Sequence, residues 1–198
     1  DSIAAGNLIN SDADSGTFGD AIPYTDGKYL PAGYKTPGTV AGQATITEVA
    51  ANNVRNVVYS KDSFGYTVNY YKDSIAAGNL INSDANSGTF GDPIPYTDGK
   101  YLPAGYKTPG TVTGQATITE VAANNVRNVV YSKDSFGYTV NYYKDSIADA
   151  NLLNSDTDTG TFGEAILYTD GKYLPAGYKT PGTVTGQATI TEVAANNV

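Results

Sequence analysis

The sequence contains no cysteine, histidine, tryptophan or methionine. Without cysteine and histidine, the commonest zinc ligands and the thiol nucleophiles are missing. A Ser-His-Asp triad and an imidazole general base are excluded as well. The side chains left for catalysis are pairs of carboxylates, or serine together with lysine. We therefore expect a protein that is not an enzyme and needs no cofactor.

Positive charge is also scarce. The chain carries 12 basic and 20 acidic residues, a net charge of −8 and a pI near 4.3. This balance argues against a nucleic-acid partner and against an anionic membrane surface. No apolar run approaches the roughly 20 residues of a membrane span, so we expect no membrane insertion. The chain opens in mid-pattern at Asp1 without a signal peptide, which suggests an internal fragment of a longer protein.

The most informative feature is a repeat. The motif DSIAAGNL begins at Asp1 and again at Asp73, and DSIADANL begins at Asp145, so the two intervals are equal. The first two copies differ at three positions, and the third differs from the second at nine, all between Asp149 and Leu167. Because common solenoid units run to roughly 20–50 residues, the longer period predicts a string of small domains. Near-identical copies add length or valency rather than a single catalytic site.

Apolar alternation and turn residues predict β structure throughout. The clearest strand is Phe64–Ser74, with Tyr66 and Tyr70 in the core. The β-branched stretch Val54–Lys61 predicts a second strand. Further expected elements are a strand or a short Thr47-capped helix around 43–51, a short strand at 17–25, and one helical turn within 25–35 that Pro31 ends.

Two domain frames fit this pattern. The preferred frame places repeat 1 at 1–64 without its first strand, a complete repeat 2 at 65–136, and repeat 3 at 137–198 without its last strand. The alternative has three units, 1–54, 73–126 and 145–198, joined by linkers at 55–72 and 127–144. The first is preferred because linkers are rarely so apolar.

Four segments of one repeat, in this order, carry a family resemblance: YTVNYYKD at 66–73, GTFGDPIPYT at 88–97, LPAGYK at 102–107 and NVVYSKD at 128–134. Taken from Tyr66, the repeat resembles the MucBP (mucin-binding protein) repeats of Gram-positive bacterial surface adhesins. The resemblance implies small β-grasp-like (ubiquitin-like) domains, mainly β and α+β at most, arranged in tandem as an elongated rod. It further implies an extracellular, wall-anchored location and host mucin or other glycans as partners.

The stretch NSDADSGTFGD at 10–20 has two interpretations. Its oxygen-bearing side chains suggest a calcium loop, but the fifth position is Gly16, and plain turns prefer the same residue types. As a surface loop closing onto a strand, it would point Phe18 inward. The calcium candidates in the three copies are Asp12, Asp14, Asp20, Asp84, Asn86, Asp92, Asp156, Asp158 and Glu164.

Tyrosine is the second candidate binding group. Exposed rings stack on sugar faces, whereas a small domain without tryptophan or methionine also needs tyrosine in its core. The candidates for glycan contact, near turns or on a polar strand face, are Tyr29, Tyr34, Tyr71, Tyr101, Tyr106, Tyr143, Tyr173 and Tyr178.

A covalent cross-link is a third possibility. A Lys–Asn isopeptide bond would join Lys61 or Lys72 to Asn56 or Asn69, with Glu48 as the acid. A small domain without disulfides would gain stability from such a bond.

Three functions fit these features. The first is a segment of a cell-surface adhesin or stalk that gives reach and multivalent, weak glycan binding. The second is a self-assembling extracellular fibre, in which incomplete repeats are completed by β-strand addition from copies of the same chain. The third is a binding appendage of a secreted glycan-active enzyme.

Overall fold

The structure is a computed structural model and describes residues 2–198. The described chain is mainly β, which confirms the predicted class at that level. Its strands are β1 (Tyr34–Gly42), β2 (Arg55–Lys61), β3 (Ser63–Lys72), β4 (Leu80–Thr89), β5 (Tyr106–Gly114), β6 (Val126–Lys133), β7 (Ser135–Tyr143) and β8 (Leu152–Thr161). Helix occurs in these residues as 3₁₀ turns at Ala5–Asn7, Ala50–Asn52, Ala77–Asn79, Ala122–Asn124, Asp149–Asn151 and Ala194–Asn196.

Contacts divide the chain into two compact units. The first contains the residues up to Val68, Asp84–Tyr96 and Thr113–Arg127. The second contains Asn69–Ser83, Thr97–Val112 and Asn128–Val198. The domain borders expected from the repeat, 1–64, 65–136 and 137–198, remain a prediction.

The two strands that alternation predicts most clearly are present. On β3 the side chains of Tyr66, Val68 and Tyr70 are 9%, 2% and 1% exposed, and their neighbours are less buried. On β6, Val129 and Tyr131 are fully buried. The rings of Tyr70 and Tyr131 stack with centroids 6.5 Å apart and planes inclined by 20°. The tyrosines placed in the core by their spacing therefore do form it.

The sequence does not predict two strand positions of the repeat, those of β4 and β8 and those of β1 and β5. The polar stretch expected to be a surface loop is strand β4 in the second copy and β8 in the third. The equivalent residues of the first copy, 8–17, form no strand, and no counterpart of β3 lies among the described residues to pair with them. Pairing with a neighbouring strand, rather than the pattern of side chains, therefore determines whether this polar stretch is extended.

Strands β1 and β5 were also not predicted from the sequence. Each contains a Pro-Gly pair that indicates a turn in the sequence. In β1 the register to β2 shifts between Lys35 and Thr39, on either side of Pro37. Proline is tolerated in strands at bulges and on sheet edges, because no ladder hydrogen bond is lost there. β1 and β5 are both outermost in their sheets.

Other predicted elements are shorter than expected or absent. The stretch 43–49 forms no strand. It contributes one isolated bridge, Ala21 to Thr45, and its equivalents in the other copies do the same. The alternative helix exists as the 3₁₀ turn Ala50–Asn52, but its N-cap is Val49 and no side chain caps it. The prediction of Thr47 as the cap was therefore wrong, because its hydroxyl bonds Asn53 Oδ1 at 2.7 Å instead. Residues 26–29 and 32–33 form turns rather than a helical turn, and β1 begins at Tyr34.

The sheets are β1-β2, β7-β8 and a four-stranded sheet in the order β4-β3-β6-β5. In the first unit, the Thr67 amide donates to the Asn125 carbonyl at 2.8 Å. In the second, the Asp73 amide donates to the Tyr131 carbonyl at 2.8 Å. Because the residue numbers on both strands rise together, β3 and β6 run parallel. The first and last of these four strands are thus neighbours in the middle of the sheet.

A buried asparagine holds the approach to β6. The Asn125 side chain is fully buried, and its Oδ1 accepts hydrogen bonds from the amide (2.9 Å) and hydroxyl (2.7 Å) of Thr119. Its Nδ2 donates to the carbonyls of Gly65 (3.0 Å) and Thr119 (2.9 Å). The equivalent Asn197 repeats these bonds, including one to Gly137 at 3.1 Å. All polar atoms of this side chain are satisfied, as burial requires.

A phenylalanine joins neighbouring copies, and we call the arrangement the Phe joint. The Asp62 amide donates to the Gly33 carbonyl (2.8 Å), and the Phe90 amide donates to the Asp62 carbonyl (2.9 Å). The Phe90 ring lies 6.5 Å from the Tyr34 ring and 6.3 Å from the Phe64 ring, centroid to centroid. The ring also lies directly on the Cα of Gly33, where an added Cβ would overlap it.

The second Phe joint is built in the same way from Gly105, Tyr106, Asp134, Phe136 and Phe162, with ring distances of 6.4 and 6.3 Å. Phe18, the equivalent of Phe90 in the first copy, is 69% exposed. The expectation that Phe18 points inward was therefore wrong. This phenylalanine position packs against the preceding copy, and no preceding copy lies among residues 2–198.

We predict that Gly105→Ala destabilises the chain more than Gly177→Ala. Both glycines have positive φ (79° and 88°), so both substitutions introduce similar backbone strain. Only at Gly105 does the new Cβ meet the Phe162 ring, whereas nothing lies within 4 Å at Gly177. The excess loss should be about 1–3 kcal/mol, the usual cost of overpacking, measured by urea unfolding. Equal losses would show that the Phe162 ring is not held at this site.

Candidate functional site

The most regular polar cluster of the repeat joins two predicted candidates, an aspartate and a tyrosine, to a lysine. In the first copy, Lys28 Nζ donates to Asp12 Oδ2 at 2.8 Å, and Tyr29 Oη donates to Asp12 Oδ1 at 2.6 Å. The third copy has the same bonds from Lys172 (2.6 Å) and Tyr173 (2.8 Å) to Asp156. We call this arrangement the Asp-Lys-Tyr cluster.

The cluster brings together residues from two different segments. The aspartate of the third copy lies on β8, and the lysine and tyrosine follow an Asp-Gly turn further along the chain. The ammonium group also lies near the ring of its neighbouring tyrosine, 5.1 Å from the centroid for Lys28 and 5.2 Å for Lys172. Sequence reasoning singled out the aspartate and the tyrosine but missed the lysine that joins them.

Electrostatics follow from this geometry. The hydrogen bond from Lys28, and then the one from Tyr29, lower the pKa of Asp12 below the ordinary aspartate value. Lys172 and then Tyr173 lower the pKa of Asp156 in the same way. The bond to Asp156 in turn raises the pKa of Lys172. The cluster is exposed, so solvent screens this attraction and its contribution to stability is small.

The calcium candidates do not converge. Asp12 and Asp156 face a lysine ammonium, which already supplies positive charge. Asp14, Asn86 and Asp158 each accept a hydrogen bond from the next backbone amide, at 2.8, 2.9 and 2.7 Å, so their oxygens are used locally. In residues 2–198, no group of three or more acidic side chains has the geometry to hold a metal ion.

Three of the four remaining calcium candidates are Asp20, Asp92 and Glu164. The backbone amide of each bonds the threonine carbonyl three residues earlier, at 3.1, 3.0 and 3.0 Å, so all three lie in turns. Asp84 has interactions of its own and lies on β4, partly buried.

The tyrosine candidates differ widely in exposure. Tyr101, Tyr173 and Tyr178 are exposed, at 38%, 36% and 42%. Tyr29, Tyr34, Tyr71, Tyr106 and Tyr143 are half-buried. Besides Tyr29 and Tyr173 of the Asp-Lys-Tyr clusters, two more of the eight have their hydroxyls bound: Tyr106 Oη donates to Asp73 at 2.9 Å and Tyr178 Oη to Asp145 at 3.0 Å. Burial, followed by the contact with Asp73, raises the pKa of Tyr106.

Three further exposed tyrosines, at equivalent positions of the three copies, were not predicted from the sequence: Tyr24 is 48%, Tyr96 41% and Tyr168 50% exposed. The Arg55 guanidinium lies 4.8 Å from the Tyr24 ring centroid, and Arg127 lies 4.8 Å from that of Tyr96. Arg55 Nη1 is held by the Ile22 carbonyl at 3.1 Å. The guanidinium is attracted to the ring, and 48% and 41% of the two tyrosine side chains stay exposed; we call each pair a tyrosine-arginine platform.

The platform is missed because its two residues are far apart in sequence. Tyr24 and Tyr96 each follow a proline in an IPYT stretch with no strand pattern, and the arginine comes much later, at the start of β2 or β6. In the first copy, the hydrogen bond from Arg55 Nη1 to the Ile22 carbonyl joins the arginine to the tyrosine segment.

One of the residues proposed for an isopeptide bond, Asn69, has other side-chain partners. Asn69 Nδ2 donates to Asn128 Oδ1 at 3.2 Å, and Asn69 Oδ1 accepts from Ser83 Oγ at 2.7 Å. The Asn69 amide is thus engaged by polar side chains on both sides. The cross-link remains a prediction.

In chemical terms, the structure offers recurring exposed aromatic rings with nearby cations and hydroxyls. Neither a family model nor a curated protein matches this sequence. The resemblance to MucBP repeats therefore remains a prediction. None of the helices in residues 2–198 is long and apolar enough to cross a membrane.

We predict that the Asp156 carboxylate titrates at lower pH than a free aspartate, because Lys172 and Tyr173 stabilise its charged form. Since its folded pKa is depressed, the stabilisation is present above the unfolded pKa and is lost as pH falls through the folded value. Carboxyl NMR titration of the chain and of Lys172→Gln checks this: the variant should return Asp156 towards its ordinary pKa. Unchanged titration of Asp156 in the variant would contradict the cluster.

Proposed function

We propose that this chain is a tandem-repeat segment of a bacterial cell-surface adhesin or stalk, which gives reach and presents weak glycan-binding sites in several copies. The observation that carries the proposal is the recurrence of the same exposed groups at the repeat interval. The Asp-Lys-Tyr cluster recurs in copies one and three, and the tyrosine-arginine platform in copies one and two. Linked weak sites gain apparent affinity through effective concentration.

The proposed domain type is β-grasp-like. A β-grasp sheet has its first and last strands side by side and parallel in the middle, and the order β4-β3-β6-β5 with parallel β3 and β6 supports this assignment. The segment between β4 and β5, where a β-grasp domain has its helix, consists of turns in this chain. An extracellular, wall-anchored location is part of the same proposal and comes from the resemblance to MucBP repeats.

The proposed ligand contact is stacking of a sugar ring on the platforms formed by Tyr24 and Tyr96, with Tyr168 as their equivalent. Aromatic side chains offer a large contact area at little conformational cost, and their polar tips tolerate water. Platform tyrosines are better placed for this role than Tyr106 or Tyr178, whose hydroxyls are held by aspartates.

A glycan array tests the binding part of the proposal. The chain should bind a subset of mucin-type glycans in a saturable manner, and the triple variant Tyr24→Ala, Tyr96→Ala and Tyr168→Ala should lose that binding. The matched control replaces the same residues with phenylalanine, which keeps the ring faces and removes only the hydroxyls. Since stacking depends on the ring, the control should retain binding. Absence of binding by the unaltered chain would leave a stalk without a ligand.

Solution scattering tests the stalk part. A compact domain of this length has a radius of gyration of about 16 Å, and an unfolded chain of about 48 Å. We expect a value clearly between these limits, with a pair-distance distribution typical of a rod. The measurement is extrapolated to zero concentration so that association does not contribute. A radius of gyration at the compact limit would contradict an elongated arrangement.

A further inference from the structure

The chain enters and leaves the four-stranded sheet on two neighbouring strands. β3 is the first strand of this sheet along the chain and β6 is the last, and the order β4-β3-β6-β5 places them side by side. Because the two strands run parallel, the start of β3 at Ser63 and the end of β6 at Lys133 lie at opposite ends of the β3-β6 pair. Strands β4 and β5 lie between β3 and β6 in the chain. Tension on the chain from both sides therefore acts on the β3-β6 pair before it reaches β4 or β5.

Backbone hydrogen bonds hold the β3-β6 pair along its length. The Thr67 amide donates to the Asn125 carbonyl, and the Asp73 amide, just beyond the end of β3, donates to the Tyr131 carbonyl, both at 2.8 Å. Donor and acceptor are separated by the same number of residues in both bonds, so one register runs along the pair. Asn125 Nδ2 adds a bond to the Gly65 carbonyl at 3.0 Å. The bonds thus lie in a row along the strands.

Side chains join the same two strands. Asn69 Nδ2 donates to Asn128 Oδ1 at 3.2 Å. The rings of Tyr70 and Tyr131 stack with centroids 6.5 Å apart and, like Val129, these side chains are fully buried. This face of the pair excludes water, and a hydrogen bond in such surroundings is electrostatically stronger than in water. The β3-β6 pair therefore combines a row of backbone bonds with a dry, packed face.

We propose that the β3-β6 pair is a load-bearing element, which resists tension applied along the chain. Tension directed along two parallel strands loads all the bonds between them together, so these bonds must break nearly at once. Tension applied across the strands at one end would break the same bonds one after another, at a lower force. The inference deepens the stalk part of the proposed function and rests on it, since a stalk that presents binding sites is under tension when its ligand moves away.

Opening of the pair also releases length. The stretch from Ser63 to Lys133 spans about 250 Å when fully extended and about 30 Å as a folded strand pair, so opening adds about 220 Å. Forced unfolding is governed by the rate of unfolding rather than by equilibrium stability. Contacts across the β3-β6 pair therefore set the rupture force, and contacts of β3 with β4 contribute little to it.

Single-molecule pulling of the full chain in two directions tests the load-bearing role. The sequence contains no cysteine, so two introduced cysteines provide unique attachment points. Ser63→Cys with Ser135→Cys pulls along the pair, whereas Lys72→Cys with Ser132→Cys pulls it apart at one end, and all four side chains are exposed. The first geometry should rupture in one step, with a gain of about 220 Å, at several times the force of the second. Equal rupture forces in the two geometries would overturn the proposal.

A matched pair of substitutions, pulled from the first pair of cysteines, tests which contacts bear the load. Asn69 accepts a hydrogen bond from Ser83 Oγ on β4 (2.7 Å) and donates one to Asn128 on β6 (3.2 Å). Asn128→Ala removes the bond across the β3-β6 pair and should raise the rupture rate at a fixed force roughly fivefold, the usual effect of one hydrogen bond. Ser83→Ala removes the bond to β4 and should leave that rate unchanged. A similar increase in both variants would refute this load path. Pulling involves no glycan and is independent of the scattering measurement, so failure here is distinguishable from failure of the proposed function.

Discussion

The fold depends on one buried amide. Asn125 lies where the chain enters β6, and its side chain satisfies the backbone of Thr119 while reaching across to Gly65, at the start of β3. The sheet is completed when β3 pairs with β6, which comes much later in the chain. The register of this pairing must therefore be fixed by a specific contact. An asparagine with every donor and acceptor used does so, since any other register would bury unpaired polar atoms. The apolar core then needs to supply only a few large side chains.

The copies are also not independent of one another. The backbone of Asp62 bridges the Gly33 carbonyl of one copy to the Phe90 amide of the next, and the ring of that phenylalanine lies on the glycine. A small domain buries a modest fraction of its surface, so contacts with neighbours contribute a larger share of stability than in a large domain. Each copy is therefore stabilised in part by its neighbours.

The sequence predicts those parts of the fold in which side chains decide the structure. Alternation of Tyr66, Val68 and Tyr70 identifies β3, and the β-branched run of β6 identifies its partner. It does not predict β4, whose side chains are mostly polar and whose conformation comes from the neighbouring backbone. The candidate site residues were likewise predicted only in part. Asp12 and Tyr29 were identified by residue type, but the lysine between them and the arginine on Tyr24 depend on contacts made only in the folded chain.

The Phe joint has a consequence for how such a protein changes length in evolution. Its glycine and its phenylalanine belong to consecutive copies, and the central strands β3 and β6 span the border between one period and the next. A recombination event that adds or removes one whole period keeps each joint between consecutive copies intact, as well as the pairing of central strands across that border. Any other length change separates them. The geometry of the joint therefore favours length changes by whole periods.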